Sequence, residues 1–289
     1  MASYSNDVAA LNPENWADMI QENLYKELVC MKVADIKLKK QLTAGTDVHF
    51  PLFGSLSTTA YVKGADVTVQ ALDSTDEYLR VDQQWESSFY LDLVDQKQNL
   101  YSTMQAGVRE ATDAIKQKVE SLFFAQVLNA SDTLDAGDMA TGSDGDAVAL
   151  TTTNVIEFFS KGRAKLGKAL KGKRAVAVVS YAVAGIIEQK MASAGFSVQD
   201  AALKNGYAGS FMGWEIYVSE NLDETTNSRI HCYLGAAEAI SLAMQIAPTT
   251  QIDNDPLKFG RIVKMLEVFG IKTFTRGSQR FLDAQCTVS

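Results

Sequence analysis

The chain has 289 residues, 46% hydrophobic and 21% charged, with 4 prolines and a formal charge of −8. Those values suit a globular chain that buries a real core, and the negative balance argues against a broad nucleic-acid-binding surface. Three scattered cysteines without a C-x-x-C argue against a disulfide framework, the start M-A-S-Y-S-N-D is no secretory signal, and no apolar run reaches membrane-spanning length, so a soluble, cytoplasmically made protein is expected.

Asn12-Pro13-Glu14 opens a predicted helix, since asparagine caps, proline suits the first helical position and an acid favours the dipole. Trp16, Met19, Ile20, Leu24 and Leu28 form its apolar stripe, and it ends before the lysines at 37 to 40. Gly45 to Pro51 reads as a turn into a short extended segment. Gly54, Gly64 and the run Ser55 to Thr59 form a turn-rich approach to a ribbon of two strands.

The stretch from Leu79 to about Leu128 organises the chain. Leu79, Val81, Trp85, Phe89, Leu91 and Leu93 all fall on odd positions between polar residues, the period of a strand with one dry face. At about 3.3 Å per residue it reaches on the order of 50 Å. Val67, Val69 and Ala71 supply a partner strand, with Asp73 to Asp76 as the turn. Two strands enclose no core, so such a ribbon must lie on its own body or on a neighbouring subunit. After Asp95 the period becomes helical, through Leu100, Met104, Val108, Ala111, Ile115, Val119, Leu122 and Phe123. Arg109/Asp113 and Lys116/Glu120 are expected to pair at i,i+4 on the opposite side.

Ala130 to Thr151 reads as a surface loop, after which Asn154 and Glu157 form an expected capping box. Ala175 to Val179 suits a buried strand, Tyr181 to Ala192 a helix, and Gly195 to Gly209 a linker. Trp214 to Val218 and Ile230 to Leu234 read as strands, Ala236 to Met244 as a short helix and Thr249 to Pro256 as an acidic loop. Arg261 to Phe274 reads as a strand bent at Gly270, and Phe281 to Val288 as a final strand. Interleaving without a strict β-α-β rhythm makes the class α+β.

Chemistry is not visible. His231 and Cys232 are strand neighbours pointing to opposite faces, which rules out a nucleophile–base dyad from that strand. The acids at 132, 135, 138, 144 and 146 lack calcium-loop spacing, and no phosphate-binding or metalloprotease motif is present. Lys168, Lys171, Lys173 and Arg174 cluster, and read as a solvated helix end. No catalytic, cofactor or metal site is expected, and the protein is read as no enzyme.

The order of parts resembles the major capsid proteins of tailed bacteriophages, the Hong Kong 97-type fold. Gly45-Thr46-Asp47-Val48 to Pro51 is similar to the G-x-x-V-x-x-P opening of that family's extended loop, the E-loop. Leu79 through Phe89 to Asp95-Gln96-Lys97-Gln98 resembles the loop's return strand and the D-x-x-Q that begins the spine helix. Gly209 to Leu222 looks like G-x-x-x-G-x-x-I-x-x-S-x-x-L, and Lys258 to Phe274 like the closing peripheral strand.

The resemblance implies an N-terminal arm and helix (1–44), an E-loop hairpin (45–94), a peripheral P-domain with the spine helix (95–150), an axial A-domain (151–249) and closing P-domain strands (250–289). It implies a shell protein that self-assembles through hexamers and pentamers around double-stranded DNA. Such a protein sits in the virion, is assembled in the host cytoplasm, and touches neither membrane nor a specific DNA sequence. The start at Met1, just before the arm helix, implies a separate scaffolding protein beside a portal. Contacts between subunits are expected at Val67, Val69, Leu79, Val81, Trp85 and Phe89 of the E-loop and at Trp16 and Ile20 of the arm. Removing Trp85 is expected to impair particle formation while leaving the monomer folded. The alternatives are an encapsulin-like nanocompartment shell and a Cys/His hydrolase.

Overall fold

The computed structural model of the chain describes residues 28–36, 45–54, 56–64, 66, 69–98, 103–140, 142–193, 207–222, 224–225, 229–255 and 257–288. The arm helix predicted from Asn12, the lysines at 37 to 40 and most of the 195–209 linker lie outside them, as do Trp16, Ile20 and Val67. Helix α1 spans Cys30–Val33, strand β1 Asp47–Phe53, β2 Ser74–Arg80 and β3 Gln83–Asp92. Helix α2 covers Leu93–Gln98 and α3 Thr103–Ala125, followed by the short strands β4 (Thr133–Leu134) and β5 (Val148–Leu150). Then come α4 (Val155–Leu166), β6 (Ala175–Val179), α5 (Tyr181–Ser193), β7 (Tyr207–Phe211), β8 (Trp214–Val218) and β9 (Glu224–Thr225). The chain continues with β10 (Arg229–Ala236), β11 (Ser241–Asn254), β12 (Gly260–Lys272), α6 (Thr275–Ser278) and β13 (Phe281–Val288).

Three sheets organise these elements. The large sheet runs β4-β13-β10-β6-β8-β7, with β5 also on β13 and β9 on β10. Its centre is apolar because β6 reads Ala-Val-Ala-Val-Val and is covered on both faces. Helix α4 packs its Phe158 and Phe159 into the same core, and α3 adds Val119, Phe123 and Phe124. A two-residue turn at Met212 and Gly213, both at positive φ, joins β7 to β8 and suits the twist of an antiparallel hairpin.

The second sheet is β11-β12-β3, and the third is the β1-β2 ribbon alone. The predicted period of two is real on β3, where odd positions are drier than even ones. It does not belong to one long strand, because the chain breaks at Val81-Asp82 and β2 and β3 join different sheets. The hairpin partner is also different: β2 pairs with β1, from Asp47↔Arg80 to Phe53↔Ser74, and the predicted turn at Asp73 to Asp76 is where β2 starts.

Other expectations fail for visible reasons. The helix expected over Ala236 to Met244 is a turn and the start of β11, although its alanines favour helix. Its backbone groups are committed elsewhere: Ala237 N donates to Arg174 O at 2.8 Å, Glu238 N to Val33 O at 2.8 Å, and Leu242 N to Asp35 O at 3.0 Å. The acidic loop expected at Thr249 to Pro256 is mostly strand, paired from Thr249↔Leu266 to Asn254↔Arg261. The loop at 130–151 holds β4 and β5, which pair in parallel with β13.

The capping box does not form. Asn154 accepts from Thr151 N at 2.8 Å, and Glu157 accepts from Ala140 N at 3.2 Å. On α3, Lys116 bonds Asp113 at 3.3 Å rather than Glu120. Glu120 is buried, accepting from Val29 N at 3.2 Å, Ser219 Oγ at 3.0 Å and Asn221 Nδ2 at 3.1 Å. It ties the long helix to segments on two sides.

Candidate functional site

The ribbon is built from cross-strand pairs. Arg80 grips Asp47 through Nε at 2.9 Å and Nη2 at 3.3 Å, and that bond holds the Asp47 carboxyl below its ordinary range. His49 Nδ1 lies 2.6 Å from Asp76 Oδ2, and its ring stands 5.7 Å from that of Tyr78, its direct partner in register. Beyond the strands the two chain segments stay joined. Gly54 N donates to Asp73 O at 2.8 Å, and Gln70 Nε2 donates to Ser57 O at 2.8 Å and Ser57 Oγ at 2.9 Å.

The connecting loop carries Leu56, Tyr61, Val62, Val69 and Leu72, all exposed, with Val69 at 89% and Tyr61 at 76%. So many large apolar side chains on one thin element mark an interaction surface rather than scattered exceptions. A second apolar point lies at the turn between β11 and β12, where Leu257 is 91% and Phe259 86% exposed. Asp255 shapes this turn, accepting from Leu257 N through Oδ1 at 2.8 Å, while its own N donates to Gly260 O at 3.1 Å.

The ribbon's root is pinned to the body. Arg276 Nη2 donates to Phe53 O at 2.8 Å, and Thr275 donates through N at 3.2 Å and through Oγ1 to the Glu77 carboxylate. Phe50 meets Phe274 edge-on at 5.3 Å, and Gln245 Nε2 donates to Gly45 O at 2.9 Å. A Cβ at Gly270 would overlap the Arg80 carbonyl, so only glycine lets β12 pass this close to β2. Asp76, Glu77, Tyr78, Lys272, Thr273 and Thr275 line a polar cleft in the angle between ribbon and body.

The structure divides the expected contact residues. Val69 is exposed on the ribbon loop. Leu79 and Val81 are buried in the chain's own core with Ala243 and Val268, so they offer a neighbour no surface. Trp85 packs on the main core with Lys118 Nζ 4.4 Å from its ring centroid, and Phe89 lies on Gly107 of α3 beside Ala111, Ile115 and Met265. Leu79 and Val81 thus pack within the subunit, while Trp85 and Phe89 are half-buried against their own chain. The reason is that β3 is no free arm but the edge of the sheet that covers α3. Leu56, Tyr61, Val62, Leu72, Leu257 and Phe259 are not singled out by sequence, though large apolar residues in turn-rich segments were the available signal.

Nothing in the fold makes His231 and Cys232 work together. His231 Nδ1 faces Asp283 and Cys232 Sγ faces Cys286 Sγ at 3.6 Å, on opposite faces of β10. The bond to Cys286, and then burial, pushes the Cys232 thiol well above its ordinary value, and burial does the same to Cys30. A thiol so shifted is a poor nucleophile. Among the described residues no three His, Cys, Asp or Glu side chains converge to hold a metal ion, and no helix is long and apolar enough to cross a membrane.

Comparison with known proteins gives one consistent result. The family model described as phage capsid protein matches residues 88–279. No curated protein matches the chain. Among solved structures, one from Mycobacterium phage Che8 is 21% identical, covering 99% of this chain and 98% of its own, with a TM-score of 0.73. The capsid of cyanophage P-SCSP1u is 14% identical at 99% and 95% coverage, with a TM-score of 0.69. The capsid of Ralstonia phage GP4 is 14% identical at 100% and 97% coverage, with a TM-score of 0.67. At these identities the likeness speaks for the fold, which is the Hong Kong 97 type.

Proposed function

From the premise that this chain belongs to the phage capsid protein family, as a major capsid protein, we infer how it builds its shell. Copies associate as hexamers and pentamers into a closed icosahedral container around double-stranded DNA, assembled in the host cytoplasm with a portal and a scaffolding protein as partners. The work is structural rather than catalytic. Repeated heterologous contacts close when their angles permit, and a subunit held by several neighbours rebinds before it leaves.

The observation that carries this reading is the pair of apolar extremities. The ribbon loop with Leu56, Tyr61, Val62, Val69 and Leu72, and the turn with Leu257 and Phe259, expose apolar surface far from the chain's own core. Each is read as lying on a neighbouring copy. The ribbon and its loop, 45–80, act as the E-loop, and β3, β11 and β12 with α3 act as the P-domain. The large sheet from β6 to β10 with α4 and α5 acts as the A-domain. The arm residues Trp16 and Ile20, with Val67, are read as further contacts. No observation favours the nanocompartment or hydrolase alternatives.

Electron microscopy of the purified protein tests the reading. Closed shells of uniform size are expected. A monodisperse monomer at every concentration and salt would overturn it.

A further inference from the structure

Between Glu157 and Glu188 the sequence contains no acid, yet residues 161–174 hold seven cations in a chain whose formal charge is −8. Three of the seven are engaged within the chain. Lys165 pairs with Asp138 at 2.6 Å and Asp132 at 3.5 Å, Arg163 Nη1 donates to Met212 O at 2.8 Å, and Arg174 bonds Lys32 O at 3.1 Å and lies 3.6 Å from Glu215. Lys161, Lys168, Lys171 and Lys173 are exposed and, among the described residues, their ammonium groups have no ion-pair or hydrogen-bond partner. They are also close in sequence. Lys161 lies on the last turns of α4 and Lys168 in the short 3-10 turn that follows, after Gly167 at φ 38° has ended the α-helix. Lys171 N then bonds Lys168 O at 3.2 Å and Lys173 N bonds Leu170 O at 3.1 Å, folding the remaining two back onto the same end.

We propose that this cluster at the end of α4 is a docking surface for the phosphate backbone of double-stranded DNA. Uncompensated like charges repel one another, so concentrating four of them costs stability unless a polyanion gathers them. The kind of cation matters. Both arginines, suited to fixed bidentate contacts, are committed to backbone carbonyls, while the free charges are lysines, flexible point charges suited to phosphates. Protein interfaces centre on aromatic or apolar anchors. Here the apolar members of the segment, Leu166, Ala169 and Leu170, turn into the core, so an acidic protein partner would have only charge to hold. A phosphate backbone needs no more than that. Contacts of this kind carry no sequence information, and the excess acid elsewhere on the chain confines them to one place. The choice of DNA as the polyanion rests on the container reading given under Proposed function.

The test uses the unassembled full chain and a fluorescein-labelled 30-base-pair duplex of arbitrary sequence, followed by anisotropy. Four phosphate contacts give a salt slope near −0.9 per contact, so affinity falls roughly 100-fold between 50 and 200 mM salt. The variant Lys161→Gln, Lys168→Gln, Lys171→Gln, Lys173→Gln is expected to lose most of the binding and nearly all of that slope, and without DNA to melt no lower than the parent. A control with Lys63, Lys97, Lys190 and Lys272 changed to Gln removes equal charge elsewhere and should bind as the parent does. Equal loss in both variants, or none in the first, overturns the proposal. So does polyglutamate binding the cluster more tightly than the duplex at equal salt, which would point to an acidic protein. Shell formation is read separately by microscopy, so a protein that makes shells yet ignores the duplex defeats only this inference.

Discussion

His231 and Asp283 face each other from neighbouring strands, with Nδ1 2.9 Å from each carboxylate oxygen and both side chains buried. Gln285 Nε2 donates to the same carboxylate at 2.9 Å and its Oε1 accepts from Arg229 Nη1 at 2.9 Å, extending the network to the rim of the sheet. Removing one member leaves the others buried without compensation. Asp283→Ala is expected to cost about 3 to 5 kcal/mol in urea unfolding, and joint replacement of His231 and Asp283 by leucine to recover most of it. A single-variant loss below about 1 kcal/mol would show the network to be dispensable.

Gly270 sits against the Arg80 carbonyl, a backbone atom that cannot swing aside. Gly270→Ala therefore has to push β2 away from β12, at a cost of about 1 to 3 kcal/mol. A lower melting temperature together with faster proteolysis of the ribbon is the expected pair of results. Unchanged melting would mean that the two strands do not pass this close to each other.

Glu267 lies buried opposite Trp85 in the β12–β3 register, and neither its Oε2 nor Trp85 Nε1 has a hydrogen-bond partner among the described residues. Burial raises the carboxyl above its ordinary value. The unfolded chain then releases this proton at lower pH than the folded one, so stability is full in acid and falls as pH rises from the ordinary carboxylate range through the raised value. Unfolding midpoints between pH 4 and 8 should fall more steeply in the parent than in Glu267→Gln. Parallel curves would remove Glu267 as the cause.

Trp85 and Phe259 separate folding from assembly. Trp85 is packed on its own core, so Trp85→Ala should destabilise the subunit by about 3 kcal/mol, and any loss of particles should follow the melting curve. Leu257→Ser with Phe259→Ser should leave subunit melting within about 0.5 kcal/mol of the parent, since both side chains face solvent, yet reduce shell yield. Normal shells from this double variant would place the contact elsewhere.

What the sequence revealed was what local patterning controls. Ala175 to Val179, Trp214 to Val218 and Phe281 to Val288 are strands where the apolar runs place them, and α3 follows its three- and four-residue steps. Pairing was not legible. Alternation at Leu79 to Leu93 identifies a dry face but not what dries it; within the chain, β11 and β12 cover Leu79 and Val81, and α3 and β12 lie against Phe89. The same limit explains Ala236 to Met244, where segments more than 60 residues away in the sequence claim the backbone that local propensity would have coiled. The exposed apolar surface was half visible: alternation points to Val69, whereas Leu257 and Phe259 are hidden inside a segment whose acids dominate its pattern.

The pins at Thr275 and Arg276 and the strand β13 give the order of synthesis a consequence. The ribbon at residues 47–80 leaves the ribosome early, but its angle is set by side chains made some 200 positions afterwards. The large sheet likewise waits for β13 to bridge β4, β5 and β10. A nascent chain therefore carries its exposed apolar loop before the side chains that fix the ribbon's angle have been translated.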